Sequence, residues 1–206
     1  MTLTAEGFAR LTHVPRETMA RLEDYVRLLS AWNNRINLIG RNTLGDVWQR
    51  HILDSAQLLP YIPPRITAAT DLGSGAGLPG LILGILGVAN IHLVESDRRK
   101  SVFLAEAIRL TRAPVTLHVH RAERLTPFPA DLVTARACAN LNDLLSLAQP
   151  FIGPHTVCLF HKGKGVADEL TQAAKDWTMR VETLPSVTDR AGCILKLEGV
   201  ARVERR

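Results

Sequence analysis

Between Asp71 and Gly80 the chain reads Asp-Leu-Gly-Ser-Gly-Ala-Gly-Leu-Pro-Gly, directly behind a β-prone run that begins at Ile66. Glycines at 73, 75, 77 and 80 let the backbone turn sharply and let a ligand approach the main chain closely. Pro79 suits the first turn of a helix, and amides opening that helix would attract a phosphate or a carboxylate. Gly75-x-Gly77-x-x-Gly80 satisfies the dinucleotide fingerprint, with Glu95 placed about 20 residues on to take ribose hydroxyls. Asp71 changes the balance. A carboxylate at the strand end would oppose a pyrophosphate, whereas it can receive an ammonium through charge-assisted hydrogen bonds. A ligand with a carboxylate for the loop amides, an ammonium for Asp71 or the adjacent backbone, and a ribose for Glu95 is S-adenosylmethionine. The competing assignment is a nicotinamide-dependent oxidoreductase, which the same glycines and Glu95 would also serve.

Other residues have the chemistry for a site. Arg50, His51 and Asp54 share a predicted helix, and His51 and Asp54, three apart, are neighbours on one face. Such a pair is either a general base with its partner or a hydrogen-bonded surface couple. His118 and His120 project the same way from a short strand, but no further ligands cluster with them and no metal is expected. Lys162 and Lys164, on a glycine-flanked turn, suit phosphate contact or form a plain basic turn. Arg190 and Lys196 add basic groups near the C-terminus.

These residues need elements to hold them. Apolar spacing predicts helices over Pro15–Trp32 and Leu44–Leu59, with Pro60, Pro63 and Pro64 marking a junction. After the glycine loop the pattern alternates: helix Leu81–Leu86, strand Ile91–Glu95, helix Asp97–Arg112, strand Val115–Val119, strand Asp131–Arg136 and a helix from Asn140 to Ala148. Strand Thr156–Phe160, helix Val166–Trp177, and strands Met179–Leu184 and Cys193–Leu197 complete the chain. The last two strands are joined by too few residues for a helical crossover and should pair antiparallel. Ligands of open α/β sheets lie beyond the carboxyl ends of the strands, which places Glu123 and Arg136 on the cofactor side. The expected fold is α/β and Rossmann-like, a mostly parallel sheet ending in an antiparallel hairpin. Residues 1–62 form an N-terminal helical extension and residues 63–206 the catalytic domain.

Composition sets outer bounds. A chain of 206 residues with 46% hydrophobic content can bury one substantial core. A formal net charge of +5 permits a polyanionic partner without requiring one. Cys138, Cys158 and Cys193 are widely spaced and lie in apolar contexts, as in a reduced cytoplasmic protein. No secretory signal or membrane span is evident. Nothing demands an oligomer, so a monomer is expected.

Taken in order, WNxxxNL at Trp32–Leu38, RHxxDS at Arg50–Ser55, DLGSGAGLPG at Asp71–Gly80, VES at Val94–Ser96, RAE at Arg121–Glu123 and TARA at Thr134–Ala137 closely resemble the RsmG (GidB) family. The HKG and DR elements at Lys162 and Arg190 continue the match. The resemblance implies a class I S-adenosylmethionine-dependent methyltransferase that methylates N7 of one guanosine in 16S ribosomal RNA, as naked RNA or in the small subunit. It implies cofactor contacts at Gly73, Leu78, Ala122, Glu123 and Arg136, with Asp71 and Glu95 as the strand-end acids and Gly75 and Gly77 in the same loop. Glu95 is one carbon longer than the aspartate of many relatives. Arg50, His51, Lys162, Arg190 and Lys196 match basic positions of the RNA face; Lys164 has no counterpart in the pattern. Guanine N7 carries a lone pair and no proton, so no general base is needed; Arg50 and His51 are positioning candidates, and Arg136 is assigned to binding. A non-catalytic RNA-binding assembly factor that keeps the fold is the remaining alternative.

Overall fold

The computed structural model describes residues 3–204. Strands β1 (Ala69–Leu72), β2 (Ile91–Val94), β3 (Val115–His118), β4 (Ala130–Arg136), β5 (Ile152–Lys162), β6 (Trp177–Pro185) and β7 (Cys193–Arg202) form one sheet in the order β3-β2-β1-β4-β5-β7-β6. The first five run parallel, and β7 lies antiparallel to both β5 and β6. The expected hairpin ending is therefore present, because only Ser186–Gly192 joins β6 to β7. The chain adds β2 and β3 on one side of β1, then returns to β1's other side with β4. That reversal opens a crevice at the carboxyl ends of β1 and β4.

All four residues of β1 are buried, as expected of a parallel strand covered on both faces. Helices α2 (Arg16–Asn33), α4 (Gly80–Ile85) and α5 (Arg98–Thr111) cover one face, and α6 (Leu141–Ala148) and α7 (Val166–Ala173) belong to the core on the other. Helix α2 buries Leu22, Tyr25 and Leu29 in the same core as Leu81 and Phe103. Its Tyr25 and Trp32 rings meet Phe103 edge-on at 6.2 and 5.9 Å. The Tyr25 hydroxyl donates to the Ala76 carbonyl at 2.7 Å, so the extension directly props the glycine loop. Asp97 caps α5 by accepting from the amides of Arg99 and Lys100.

Three elements differ from the sequence expectation. A further helix, α1 (Ala5–Thr12), precedes α2, capped by Thr4 and packing Phe8 on Trp48 at 5.6 Å. The helix expected over Leu44–Leu59 is a succession: a 3-10 turn (Arg41–Asp46), a π-helical turn (Trp48–Leu53) and the short α3 (Asp54–Ala56). At the π turn the Arg50 carbonyl accepts from the Arg136 guanidinium, an insertion of the kind that loosens an α-helical ladder. Helix α7 stops at Ala173 because Trp177 instead opens β6, buried with its indole N–H donating to Asn142 at 2.8 Å. No helix among the described residues is long and apolar enough to cross a membrane.

Candidate active site

Two cavities lie at the carboxyl ends of the strands. The larger, about 460 Å³, is enclosed by the Leu38–Gly40 segment with Thr43, by Arg50 and His51 of the π turn with Asp54 of α3, by the ends of β4 and β5, and by the β6–β7 loop. The smaller, about 180 Å³, is lined by Gly73, Glu95, Ala122, Glu123 and Cys138 among others. The end of β4 separates them: Arg136 and Ala137 face the larger, and Cys138 the smaller. Ala137 makes the turn with a left-handed φ of 50°, unusual for a residue with a Cβ and costly unless its surroundings enforce it.

Arg136 organises the larger cavity. Its guanidinium donates to Asp54 Oδ2 at 3.0 Å, to the Arg50 carbonyl at 3.0 Å and to His51 Nδ1 at 2.9 Å. A guanidinium can only donate, so His51 Nδ1 is the acceptor and its proton sits on Nε2. From there it donates to Thr43 Oγ1 at 2.8 Å, and Thr43 passes a hydrogen bond to the Gly40 carbonyl at 2.7 Å. Burial, reinforced by the Arg136 charge, pushes His51 down to about 3. The ring is therefore neutral at physiological pH with its lone pair occupied. His51 and Asp54 do not form the direct couple their spacing allows, because Arg136 stands between them.

Asp54 is saturated. Its Oδ1 accepts from the Thr188 hydroxyl and from Gln57 Nε2, and its main-chain carbonyl accepts from His161 Nε2 at 2.8 Å. Burial alone would raise its carboxyl, but His161, Thr188 and Arg136 together hold it below the usual carboxylate range.

The glycines of the loop divide their work. Gly73 and Gly75 have φ of +64° and +58°, and a Cβ on Gly75 would meet nothing closer than 3.7 Å. Gly77, itself left-handed at +85°, and Gly80 allow close packing, as Gly73 does: an added Cβ would fall 2.7 Å from Leu81, 2.5 Å from Asp71 and 2.6 Å from Cys138 Sγ respectively. The expected free amides are already engaged. Gly75 N–H donates to Glu95 at 2.8 Å, and those of Gly77 and Leu78 donate to the Ser74 carbonyl. Glu95 also accepts from Asp97 N–H at 2.7 Å, so its carboxylate is clamped by two loops while lining the smaller cavity.

Asp71 departs from its expected role. It is fully buried, lines neither cavity, and accepts from the Thr134 hydroxyl at 2.7 Å. The absence of a Cβ on Gly80 lets α4 settle on top of it, so an ammonium would meet the loop and not this carboxylate. Burial pushes its carboxyl up to about 6, with Ser74, Thr134 and Gly80 limiting the rise. A carboxyl whose folded value exceeds its unfolded one favours the native state at low pH and loses that contribution as pH rises through about 6. The thermal midpoint of Asp71→Asn minus that of the wild type should therefore increase between pH 4 and pH 7. A constant difference would show that the charge is not strained.

The basic residues separate by environment. Arg50, Lys164 and Arg190 are exposed, and Gly163 and Asp189, which line the larger cavity, adjoin the last two. Lys162 also lines that cavity but is not free for a phosphate. Its side chain is only 7% exposed, donating to the Ala139 carbonyl at 2.8 Å and to Glu169 at 2.6 Å. Lys196 faces Glu182 at 3.1 Å on the sheet and lines neither cavity. His118 is bonded to His92 across β2 and β3 at 2.8 Å, while His120 reaches the smaller cavity.

Thr43, Ala137, Cys138, His161, Thr188 and Asp189 join the cavities without having been singled out by spacing. His161 and Asp189 open the HKG and DR elements and Ala137 closes the TARA element, which was their only signal in the chain.

A family model described as rRNA small subunit methyltransferase G matches residues 18–192. A protein of Rhodospirillum centenum named ribosomal RNA small subunit methyltransferase G is 53% identical, covering 96% of this chain and 91% of its own. One of the same name from Rhodospirillum rubrum is 50% identical over 97% of this chain and 100% of its own. Among solved structures, a TehB-like SAM-dependent methyltransferase from Corynebacterium glutamicum superposes with a TM-score of 0.55 at 15% identity, covering 87% and 98% of the two chains. M. jannaschii TYW2 in complex with AdoMet gives 0.55 at 14% identity over 76% of each. At such identities the likeness is one of fold, and the fold is that of class I methyltransferases.

Proposed function

Because the chain belongs to the GidB family, rRNA small subunit methyltransferase G, we propose a division of labour between its two cavities. The protein transfers a methyl group from S-adenosylmethionine to N7 of a guanosine in 16S ribosomal RNA. The smaller cavity takes the nucleoside end of the cofactor, with Glu95 accepting from ribose hydroxyls and Gly73, Ala122 and Glu123 forming the walls. Gly73 supports that reading, since it lines the smaller cavity with a left-handed φ of +64° and has no side chain to obstruct it. Gly77, Leu78 and Asp71 act from below by shaping the loop. When bound, the cofactor supplies an electrophilic methyl carried on a sulfonium sulfur.

The larger cavity takes the target base, and the observation that carries the assignment is the β4 terminus, whose consecutive residues Arg136, Ala137 and Cys138 line both cavities. No proton has to leave N7, which agrees with a His51 that is neutral and occupied. What remains is alignment, which can contribute roughly 7 to 11 kcal/mol of barrier reduction. Arg136 and His51 are positioning residues that hold the cavity's wall. Positive charge develops on the purine during transfer, so a bare guanidinium nearby would oppose reaction; Asp54 offsets it at 3.0 Å.

Guanine N7 faces a groove of A-form RNA too deep and narrow for side chains, so the target lies in a loop or distorted region of naked RNA or the small subunit. Arg50, Lys164 and Arg190 at the rim contact its phosphates. Lys164→Ala and Arg190→Ala should each reduce the salt dependence of RNA binding by about one unit of log slope, with cofactor affinity unchanged. Lys162→Ala should instead lower the thermal midpoint, since it unpairs Glu169. An unaltered midpoint with a lowered salt slope would return Lys162 to the RNA face.

Residues 1–62 form the extension that walls the larger cavity, and residues 63–206 the catalytic domain; residues 1–2 and 205–206 lie outside the described residues. A site built within one chain supports a monomer, and its RNA substrate a cytoplasmic location. The deciding experiment uses methyl-labelled S-adenosylmethionine and small subunits lacking the modification, followed by nucleoside analysis. Label in 7-methylguanosine is expected. Cofactor binding without label would favour a non-catalytic assembly factor and overturn the assignment.

A further inference from the structure

Adenine has an N7 lone pair much like that of guanine, so alignment at N7 does not distinguish the two purines. Beside N7 the two differ at position 6, a carbonyl in guanine and an amino group in adenine, and a second, independent difference lies on the far edge. The edge opposite N7 differs sharply: guanine offers two adjacent donors, N1–H and N2–H, where adenine offers the N1 acceptor. A carboxylate accepts both guanine donors at once and repels the adenine lone pair.

The larger cavity is lined by two carboxylates, Asp54 and Asp189. Asp54 is committed to Arg136, Thr188 and Gln57, and its side chain is 13% exposed. Asp189 is different. Its side chain is 44% exposed, one oxygen accepts from Ala191 N–H at 2.9 Å, and the other meets, among the described residues, only Arg50, at a loose 3.4 Å. The backbone that carries it is firmly set. Asp189 N–H donates to Ser186 Oγ, its carbonyl accepts from Gly192 N–H, and the loop is tied to the helical wall through Thr188 to Asp54 and Val187 to Gln57. A carboxylate on a braced loop, facing a cavity, with a spare oxygen and a weak partner, is prepared to exchange that partner for a ligand.

We infer that Asp189 reads the target base, its carboxylate accepting from guanine N1–H and N2–H while Arg50, released from the 3.4 Å pair, turns to the RNA backbone. This rests on the reading of the protein as a guanine-N7 methyltransferase and supplies that reading's base specificity. Gripping the purine by the edge remote from N7 leaves N7 free to face the end of β4, where the two cavities meet.

The test compares small subunits reconstituted from ligated 16S rRNA carrying either guanosine or inosine at the target position. Inosine keeps N7 and N1–H but lacks the N2 amino group. The wild type should prefer guanosine by about 10- to 100-fold in kcat/KM, the range of a lost hydrogen bond to a charged group. Asp189→Asn should lower activity on guanosine and shrink the ratio several-fold relative to the wild type. Any intrinsic change in N7 reactivity applies equally to both enzymes and cancels in the comparison. A wild-type ratio near one would overturn the inference, even if the Asn variant does not fold. Equal losses on both substrates in Asp189→Asn, with the ratio kept, would overturn it too and leave a structural role for the loop. No methylation of guanosine subunits by the wild type would instead remove the underlying reading of the reaction.

Discussion

Replacing Arg136 by lysine is expected to lower kcat/KM on small subunits by about 100-fold or more while leaving the protein folded, the scale associated with a displacement of about 1 Å in a catalytic site. Lysine keeps the charge but is a point donor on a flexible stem. It cannot hold Asp54, the Arg50 carbonyl and His51 in one plane, as the guanidinium does at 2.9 to 3.0 Å. Arg136→Met should be worse in a different way. It leaves the Asp54 carboxylate, 13% exposed, without its guanidinium partner, and loss of one partner of a buried pair costs about 3 to 5 kcal/mol. Because Thr188 and Gln57 still bond Asp54, the lower end of that range applies. Thermal melts, calorimetric cofactor titration and single-turnover methylation together separate these effects. Wild-type turnover in Arg136→Lys would show that the network is not needed for alignment.

The largest loss of stability is expected from Gly80→Ala. A methyl group there would sit 2.5 Å from Asp71 Cβ, 2.7 Å from its Cγ and 2.6 Å from Leu93 Cδ2. These atoms belong to β1 and β2 in the interior of the sheet, so they have no solvent side to move into. Helix α4 has to lift, which uncovers Asp71 and displaces the glycine loop that leads into it. Overpacking of this kind costs about 1 to 3 kcal/mol and occasionally more, and the buried carboxylate beneath should place this site at or above the upper end. Chemical denaturation should show the loss directly, together with weakened cofactor binding. A variant as stable as the wild type would mean that α4 is free to shift. Gly75→Ala is the natural comparison: its Cβ has room, so its effect should come from the strained φ alone and be smaller.

Local patterning sufficed for much of the architecture. Hydrophobic runs bounded by glycine and proline located all seven strands, and the short β6–β7 connection required an antiparallel ending. Glycine spacing marked the crevice where β1 and β4 part. Asn140 and Asp97 announced the helix starts they cap, because capping is a contact between residues two or three apart. Patterning failed where the competing contacts came from far along the chain. The π turn at Trp48–Leu53 follows from a guanidinium some 86 positions away, and α7 ends early because Trp177 finds the second core and Asn142.

The site divides along the same line. Residue types and their order announced a glycine loop with an acid before it and another after it, a basic chain, and a family whose chemistry needs no general base. Which of those groups face a ligand was decided only by packing. Asp71 and Lys162 have the right chemistry for an ammonium and a phosphate, yet burial and nearer partners take them out of reach, while His51 is made neutral by its burial and, to a lesser degree, by the arginine set against it. Asp189, one charge among many in the chain, becomes a free acceptor only because the fold spends Asp54 on Arg136 and leaves the loop carboxylate loosely paired. Charge and hydrogen-bonding capacity belong to a residue and can be read in sequence; whether that capacity is available depends on distance and solvent, which exist only once the chain has folded.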